Sequence, residues 1–223
     1  MQKRIHKPIR ERHPLVLFPM FLKLKNRTCL VAGAGVECES KIAGLLSCGA
    51  RVRVVAPEAT PAVRAWARDG RISWSKRRFE RRDLDGVFLA VASASSSKLR
   101  ERIYRQATRQ GVLCNCVDDP AHCDFYFPAV VRRGALQIAI STSGQSPALA
   151  QRLRKQLERQ FGSVYGPWVE QLGLARRKAL AKTKNPGRGR RVLRELASES
   201  AFRKYIRRAG TRGRNRIRLR KHG

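Results

Sequence analysis

Acidic residues are scarce in this chain. Against 49 lysines and arginines stand only 16 aspartates and glutamates, a formal net charge of +33 over 223 residues. So basic a protein is poorly suited to cationic partners and well suited to an acidic ligand. No run of 18 or more apolar residues occurs, which removes a membrane-spanning helix from consideration. The basic N-terminus lacks an apolar stretch followed by a small-residue cleavage site, since Pro19 interrupts residues 14–22, and the expectation is a cytoplasmic protein. The six cysteines include no Cys-x-x-Cys pair, so the common zinc and redox signatures are missing; Cys29, Cys48, Cys114 and Cys116 sit in or beside apolar runs and read as buried thiols. Cys114, Cys116, His122 and Cys123 lie near one another, but their spacing matches no structural zinc pattern, so no metal site is expected. Aromatics make up 7% and are nearly absent from the C-terminal tail, which leaves that tail without base-stacking platforms.

What is present is unevenly placed. Residues 176–223 carry a net +17, residues 1–13 a net +4, and the part between them +12. The central part is therefore basic in its own right. At 42% hydrophobic residues and this length, one or two domains with a real core are expected.

The stretch from Thr28 to Glu58 organises the rest. An apolar run, Cys29-Leu30-Val31-Ala32, leads into Gly33-Ala34-Gly35 and a helical segment over 36–47; Cys48-Gly49-Ala50 stops it, and a second run, Val52 to Ala56, ends at Pro57-Glu58. This is strand, glycine turn, helix, strand. Glycines permit the sharp turn out of a buried strand and a close backbone approach to a pyrophosphate seated on the helix N-terminus. A carboxylate about 20 residues on can accept the ribose hydroxyls; Glu58 lies 23 positions after Gly35. The third glycine of the G-x-G-x-x-G pattern is missing, with Cys38 in its place. The context still points to dinucleotide binding, and a carboxylate at Glu58 would repel a 2′-phosphate, favouring NAD over NADP.

The remaining pattern is α/β. A short helix is predicted over 61–69, an edge strand over 71–75, buried strands over 87–92 and 112–117, and a helix over 98–110 between them. Five such strands alternating with helices predict a Rossmann-type parallel sheet. Ser93 to Ser97 and Asp118-Asp119-Pro120 follow strand C-termini, the rim where open α/β sheets bind ligands. Residues 125–131 and 136–140 read as two strands joined by a basic turn at Arg132-Arg133-Gly134. Ser146 then caps a helix with Pro147 at its first position, running to about Phe161, and a second helix is expected over 165–182. The expected layout is a flexible basic arm (1–13), an NAD-binding Rossmann domain (14–124) with residues 14–24 against the sheet edge, a small dimerisation and substrate region (125–147), a helical C-terminal domain (148–182) and a basic tail (183–223). Within the tail, 184–191 reads as a linker, 192–208 as a short helix and 211–223 as disordered.

Five ordered motifs carry a resemblance: Phe21-Leu22-Lys23-Leu24, Val31 to Gly35, Val54 to Glu58, Asn115-Cys116-Val117-Asp118, and Ile138 to Ala150. Together they resemble precorrin-2 dehydrogenase, the family that includes the dehydrogenase/ferrochelatase half of bifunctional sirohaem synthase. The resemblance covers about residues 17–171. It implies NAD-dependent oxidation of precorrin-2 to sirohydrochlorin in sirohaem biosynthesis and, in some members, insertion of Fe²⁺ as a second substrate. It implies a homodimer, Asp118 as the catalytic residue, and Val36, Glu37, Pro57 and Glu58 as NAD-contacting positions beside Gly33 and Gly35. The implied substrate carries eight carboxylates, which Arg132 and Arg133 with the hydroxyls of Ser141, Thr142 and Ser146 could hold. The same arginines read equally well as a solvated turn.

The chemistry fits the residues independently. Hydride removal needs a base for the accompanying proton, and Asp118 at a strand C-terminus is the best placed, with Asp119 the more natural turn cap and His122 a weaker candidate. Ser95, Ser96, Ser97 and Arg100 replace acidic residues and an asparagine common in the family, and Arg132 replaces an aspartate. Two other readings use the same chain: an NAD-binding sensor without catalysis, and a protein that binds nucleic acid non-specifically through its basic tail. A pure sensor would not need Asp118 and the hydroxyl-rich loop.

Overall fold

The computed structural model describes residues 16–94, 96–182 and 186–219. The chain divides between Phe127 and Pro128 into two compact units. The expected arm over 1–13 lies outside the described residues.

The first unit is a five-stranded parallel sheet: β1 (Thr28–Ala32), β2 (Arg51–Val55), β3 (Ile72–Ser75), β4 (Leu89–Ala92) and β5 (Leu113–Cys116), in the order β3-β2-β1-β4-β5. Three helices flank it: α1 (Val36–Ser47), α2 (Pro61–Arg68) and α3 (Ser97–Arg109). β1 and β4 are apolar and buried at every position because helices cover both faces of the sheet's centre, whereas β2 exposes Arg51 and Arg53 and the edge strand β3 exposes Ser73. Successive side chains point to opposite faces. Val31 packs with Ile42 and Leu45 of α1 and Val63 of α2, while Leu30 packs with Ile103 and Ala107 of α3. Fully burying a side chain such as Leu30, Ile42 or Ile103 contributes about 1.5–3 kcal/mol. The strand order reverses between β1 and β4, the point where doubly wound sheets open a crevice at their carboxyl ends.

One buried charge belongs to this unit's framework. Asp83, 8% exposed, receives both terminal nitrogens of Arg77 (2.6 and 2.9 Å) and the Glu80 N–H (2.8 Å). Burial pushes this carboxyl up, but the Arg77 guanidinium, the Glu80 N–H and neighbouring Arg82 outweigh it and hold it below the usual carboxylate range.

Residues 16–24, expected against the sheet edge, take no regular secondary structure. They form no strand, Val16 and Phe18 are exposed at 90% and 81%, and only Leu24 is buried in the core. Pro19 cannot donate to a ladder, and Leu24, whose carbonyl accepts from Arg27 N (2.8 Å), is the buried anchor of this stretch.

The second unit begins with an antiparallel pair, β6 (Ala129–Arg133) and β7 (Leu136–Ile140), followed by α4 (Pro147–Gln160), α5 (Tyr165–Lys182), α6 (Pro186–Leu196) and α7 (Glu199–Leu219). The turn is Gly134-Ala135; Arg132 and Arg133 are strand residues, paired with Gln137 and Leu136, and not part of a basic turn. Gly134 has φ 57° and its α-carbon region meets α5 closely, since a side-chain carbon there would lie 3.3 Å from Gly166 Cα. Ser146 caps α4 by accepting the Leu149 N–H (3.2 Å), with Pro147 at the first position. Phe161, Tyr165, Trp168 and Phe202 stack edge-on and tilted, joining the end of α4 to α5 and α7.

The tail also differs from expectation. The stretch read as a linker enters α6 at Pro186, a position where a missing N–H costs nothing. The single helix expected over 192–208 is two, divided at Ser198, which caps α7 by accepting the Ala201 N–H. The stretch read as disordered continues α7 to Leu219, and 220–223 lie outside the described residues. Among the described residues no helix is long and apolar enough to cross a membrane.

Candidate active site

The first unit holds a cleft of about 1040 Å³ at the carboxyl ends of β1, β2, β4 and β5. Its floor is the glycine turn. Gly33 follows β1 with φ 128° and donates to Val55 O (3.0 Å), and Ser93 N donates to Ala32 O (2.8 Å) from the end of β4. A side-chain carbon on Gly33 would lie 2.4 Å from Ser93 O, so only glycine lets the two strand ends approach this closely. Gly35 is the N-cap of α1; Cys38 N donates to its carbonyl (3.0 Å), which leaves the N–H groups of Val36 and Glu37 without an intrahelical partner. The loop after β2 is tied to this turn by Thr60 N donating to Ala34 O (3.1 Å) and to β3 by Trp74 Nε1 donating to Ala56 O (3.0 Å).

Gly33, Glu37, Pro57, Glu58 and Asp118 all line this cleft. Gly35 underlies it as the cap, and Val36 points outward, 74% exposed. The glycine cradle and the free helix N-terminus fit a nucleotide diphosphate, and Glu58 at the end of β2 fits a hydroxyl-bearing ribose.

Asp118 stands on the opposite wall, just past β5, with φ 59°. Aspartate is one of the few side chains that tolerate this left-handed region. The loop around it is closely stapled. Val117 N donates to Ala92 O (2.9 Å), Asp119 N to Cys116 O (3.2 Å) and His122 N to Asp119 O (3.0 Å), while Asp124 N donates to Cys114 O (2.8 Å). Asn115 Nδ2 donates to Phe125 O (2.8 Å), and the Cys123 thiol to the carbonyls of Cys116 and Asp119. Asp119 occupies the N-cap position of the short turn at 120–122, but its carboxylate makes no cap bond; it meets His122 Nδ1 at 2.9 Å and Arg100 Nε at 4.0 Å. His122 is thereby engaged with Asp119. Burial first, and nearby negative groups second, raise the Cys123 thiol to about 11 against the carbonyls that lower it. Among the described residues no group of three or more His, Cys, Asp or Glu is arranged to hold a metal ion.

Ser93 lines the cleft from the loop that the sequence placed on the ligand-binding rim, and Arg78 and Arg100, which also line it, were not singled out from sequence as binding candidates. Each follows the carboxyl end of a strand or opens the next helix, which is the signal that could have found them. Arg100 donates to Ala94 O (2.5 Å) and shapes the loop after β4.

Arg133, Ser141, Thr142 and Ser146 belong to the second unit, and the structure does not gather them. Arg133 gives Nε to Phe161 O (2.8 Å) and Nη2 to Glu158 O (3.1 Å), binding the last carbonyls of α4. Ser146 caps the other end of that 14-residue helix, roughly 20 Å away. Arg133 thus gives three of its five N–H donors to backbone carbonyls, the third from Nη1 to Arg132 O (2.8 Å). The three hydroxyls do share one loop. Ser141 Oγ accepts from Ser143 N (3.1 Å) and Thr142 Oγ1 from Ser146 N (3.1 Å), and a hydroxyl that accepts a backbone bond can still donate its own proton.

Two family models match the chain. One described as putative NAD(P)-binding covers residues 20–129, and one described as sirohaem biosynthesis protein, central, covers residues 133–160. The chain is 38% identical to the sirohaem synthase of Nitrosococcus oceani over 148 residues, 66% of this chain and 32% of that protein. It is 37% identical to sirohaem synthase 1 of Serratia proteamaculans over 155 residues, 70% of this chain and 33% of that one. It thus spans about a third of the length of the curated relatives it matches. A solved structure of SirC, a precorrin-2 dehydrogenase, matches with a TM-score of 0.69 and 25% identity, covering 87% of this chain and 100% of that one.

Proposed function

Because the chain belongs to the family that joins precorrin-2 dehydrogenase to the corresponding part of sirohaem synthase, we propose that it oxidises precorrin-2 to sirohydrochlorin with NAD as hydride acceptor. The observation that carries the reading is the convergence in one cleft of a glycine turn, Glu58 and, across from them, Asp118. Bound NAD would supply the hydride-accepting nicotinamide. The chain's own residues do the rest. The glycine turn and the first N–H groups of α1 hold the diphosphate. Glu58 accepts the adenosine ribose hydroxyls, and its charge opposes a 2′-phosphate, so NAD is used in preference to NADP. Asp118, which lines the same cleft in a loop held by backbone hydrogen bonds, accepts the proton lost with the hydride. Ferrous iron, where inserted, enters afterwards as a substrate. We also infer a homodimer, because the two-stranded sheet β6–β7 is short for an independent sheet.

The test is absorbance during incubation of the purified protein with precorrin-2 and NAD, metal-free, beside Asp118→Asn, which keeps the backbone tolerance and removes the base. Turnover that falls roughly 10²–10⁴-fold in the variant, with NAD binding retained, is the expected result. A folded protein that binds NAD and does not turn over, or a variant as active as the parent, would refute it. NADP in place of NAD reads the Glu58 assignment, Fe²⁺ added after turnover reads chelation, and sedimentation reads the dimer.

A further inference from the structure

Glu37 occupies the second position of α1 and lies over the glycine turn. A side-chain carbon built on Gly35 would fall 2.7 and 2.8 Å from its two carboxylate oxygens. Ser93, on the wall formed by the loop after β4, donates its hydroxyl to Glu37 Oε1 at 2.8 Å. The carboxylate is thus tethered across the mouth of the cleft, at the end of a helix whose positive field and unpartnered N–H groups favour an anion. Those same groups would receive a diphosphate. Two anions cannot both take them at full strength.

We propose that Glu37 is an internal anion that covers the diphosphate seat, tethered by Ser93, and so sets the affinity of this site for its dinucleotide. The inference rests on the dinucleotide reading above. Binding requires the Ser93–Glu37 bond to open and the carboxylate to swing outward. Glu37 is exposed, so this costs no core packing. What it does cost is the hydrogen bond and the carboxylate's favourable place at the helix end. The device raises the dissociation constant for any ligand carrying a diphosphate and leaves untouched a ligand that has only the nucleoside.

The experiment is calorimetric titration of the full chain, its Glu37→Gln, Glu37→Ala and Ser93→Ala variants, with NAD, ADP-ribose and adenosine at low and high salt. Both Glu37 variants should bind NAD and ADP-ribose about fivefold more tightly at low ionic strength, the size of one carboxylate–phosphate repulsion across about 4 Å of water. The gain should shrink as salt screens the pair. Ser93→Ala should fall between them and the parent, and adenosine should bind all four proteins alike. NAD affinity unchanged or weakened in both Glu37 variants would overturn the proposal while leaving the dinucleotide reading standing. Failure of the parent chain to bind NAD or ADP-ribose at all would instead overturn the dinucleotide reading.

Discussion

Alanine at Gly33 tests the geometry of the cleft floor directly. The new side-chain carbon would sit 2.4 Å from Ser93 O, 3.1 Å from Ser93 C and 3.3 Å from Cys38 Sγ. The first of these is more than about 1 Å inside the ~3.5–4.0 Å separation at which non-bonded atoms attract. Neither wall can yield cheaply. Ser93 N is bonded to Ala32 O and Gly33 N to Val55 O, so relief means breaking ladder-end hydrogen bonds between β1 and its two neighbours. The backbone adds its own penalty, since φ 128° is a region that side-chain-bearing residues rarely adopt. Strain of this kind costs about 1–3 kcal/mol, and forcing extra volume into a packed place costs a further ~1–3 kcal/mol. The sum, about 2–6 kcal/mol, is a large share of the ~5–15 kcal/mol that holds a domain folded. Gly44 provides the control: it lies inside α1 with nothing within 4 Å of the added carbon, so alanine there should stabilise by about 0.5–1 kcal/mol. Urea unfolding followed by circular dichroism gives both numbers as midpoint shifts at constant slope. A Gly33→Ala protein within about 0.5 kcal/mol of the parent would refute the close-approach argument.

Asp83→Asn should destabilise the chain by roughly 1.5 kcal/mol at neutral pH, the low end for a hydrogen bond to a charged group, because Arg77 is partly exposed and water replaces some of the loss. The folded carboxyl is held below its unfolded value, so its contribution is complete above the unfolded value near ~4 and disappears as pH falls through the folded one. The gap between parent and variant in urea midpoints should therefore be flat from neutral pH down to about 5 and close in stronger acid; a gap that widens in acid contradicts the ion-pair account. Burial, followed by the nearby Cys48, pushes the Cys29 thiol up to about 11, and Cys123 is raised to about 11 as well, so at pH 8 neither is a good nucleophile. Mass spectrometry after brief iodoacetamide treatment should find Cys48, the less buried of the Cys29–Cys48 pair, alkylated first, with Cys123 slower and the fully buried Cys29 labelled only on unfolding. Rapid labelling of Cys29 in the folded chain would count against its burial.

The strands β1 and β4 were legible because a parallel strand covered on both faces must be apolar throughout, and such runs stand out between glycine and charged punctuation; β3 was legible by the alternation of an exposed edge strand. The glycine turn was legible because its requirement is local: the backbone at Gly33 needs φ 128° within three residues of the strand it leaves. Capping of α4 by Ser146 was legible for the same reason, since the cap and the N–H it serves are three residues apart. Misreadings came where partners are distant or faces must be covered. Arg132 and Arg133 read as a basic turn, yet both are strand residues of β6, and Arg133 meets backbone carbonyls 25 and 28 residues on. Residues 14–24 were expected against the sheet edge by hydropathy, yet Val16 and Phe18 are exposed and the described part, from residue 16, forms no strand.

By itself, then, the sequence determined the alternation of strands and helices, the glycine turn, the Ser146 cap of α4 and the carboxylates that follow strand ends, because each depends on residues within a turn or two of one another. Only the tertiary structure decided which of those groups share a space. The strand order β3-β2-β1-β4-β5 carries Asp118 to the cleft that Gly33 and Glu58 line, and it sets Ser93 against Glu37 across 56 residues of chain. Hydrogen bonds between residues so far apart leave no periodicity or spacing in the sequence, since they depend on how the sheet is wound and not on which residues are neighbours in the chain.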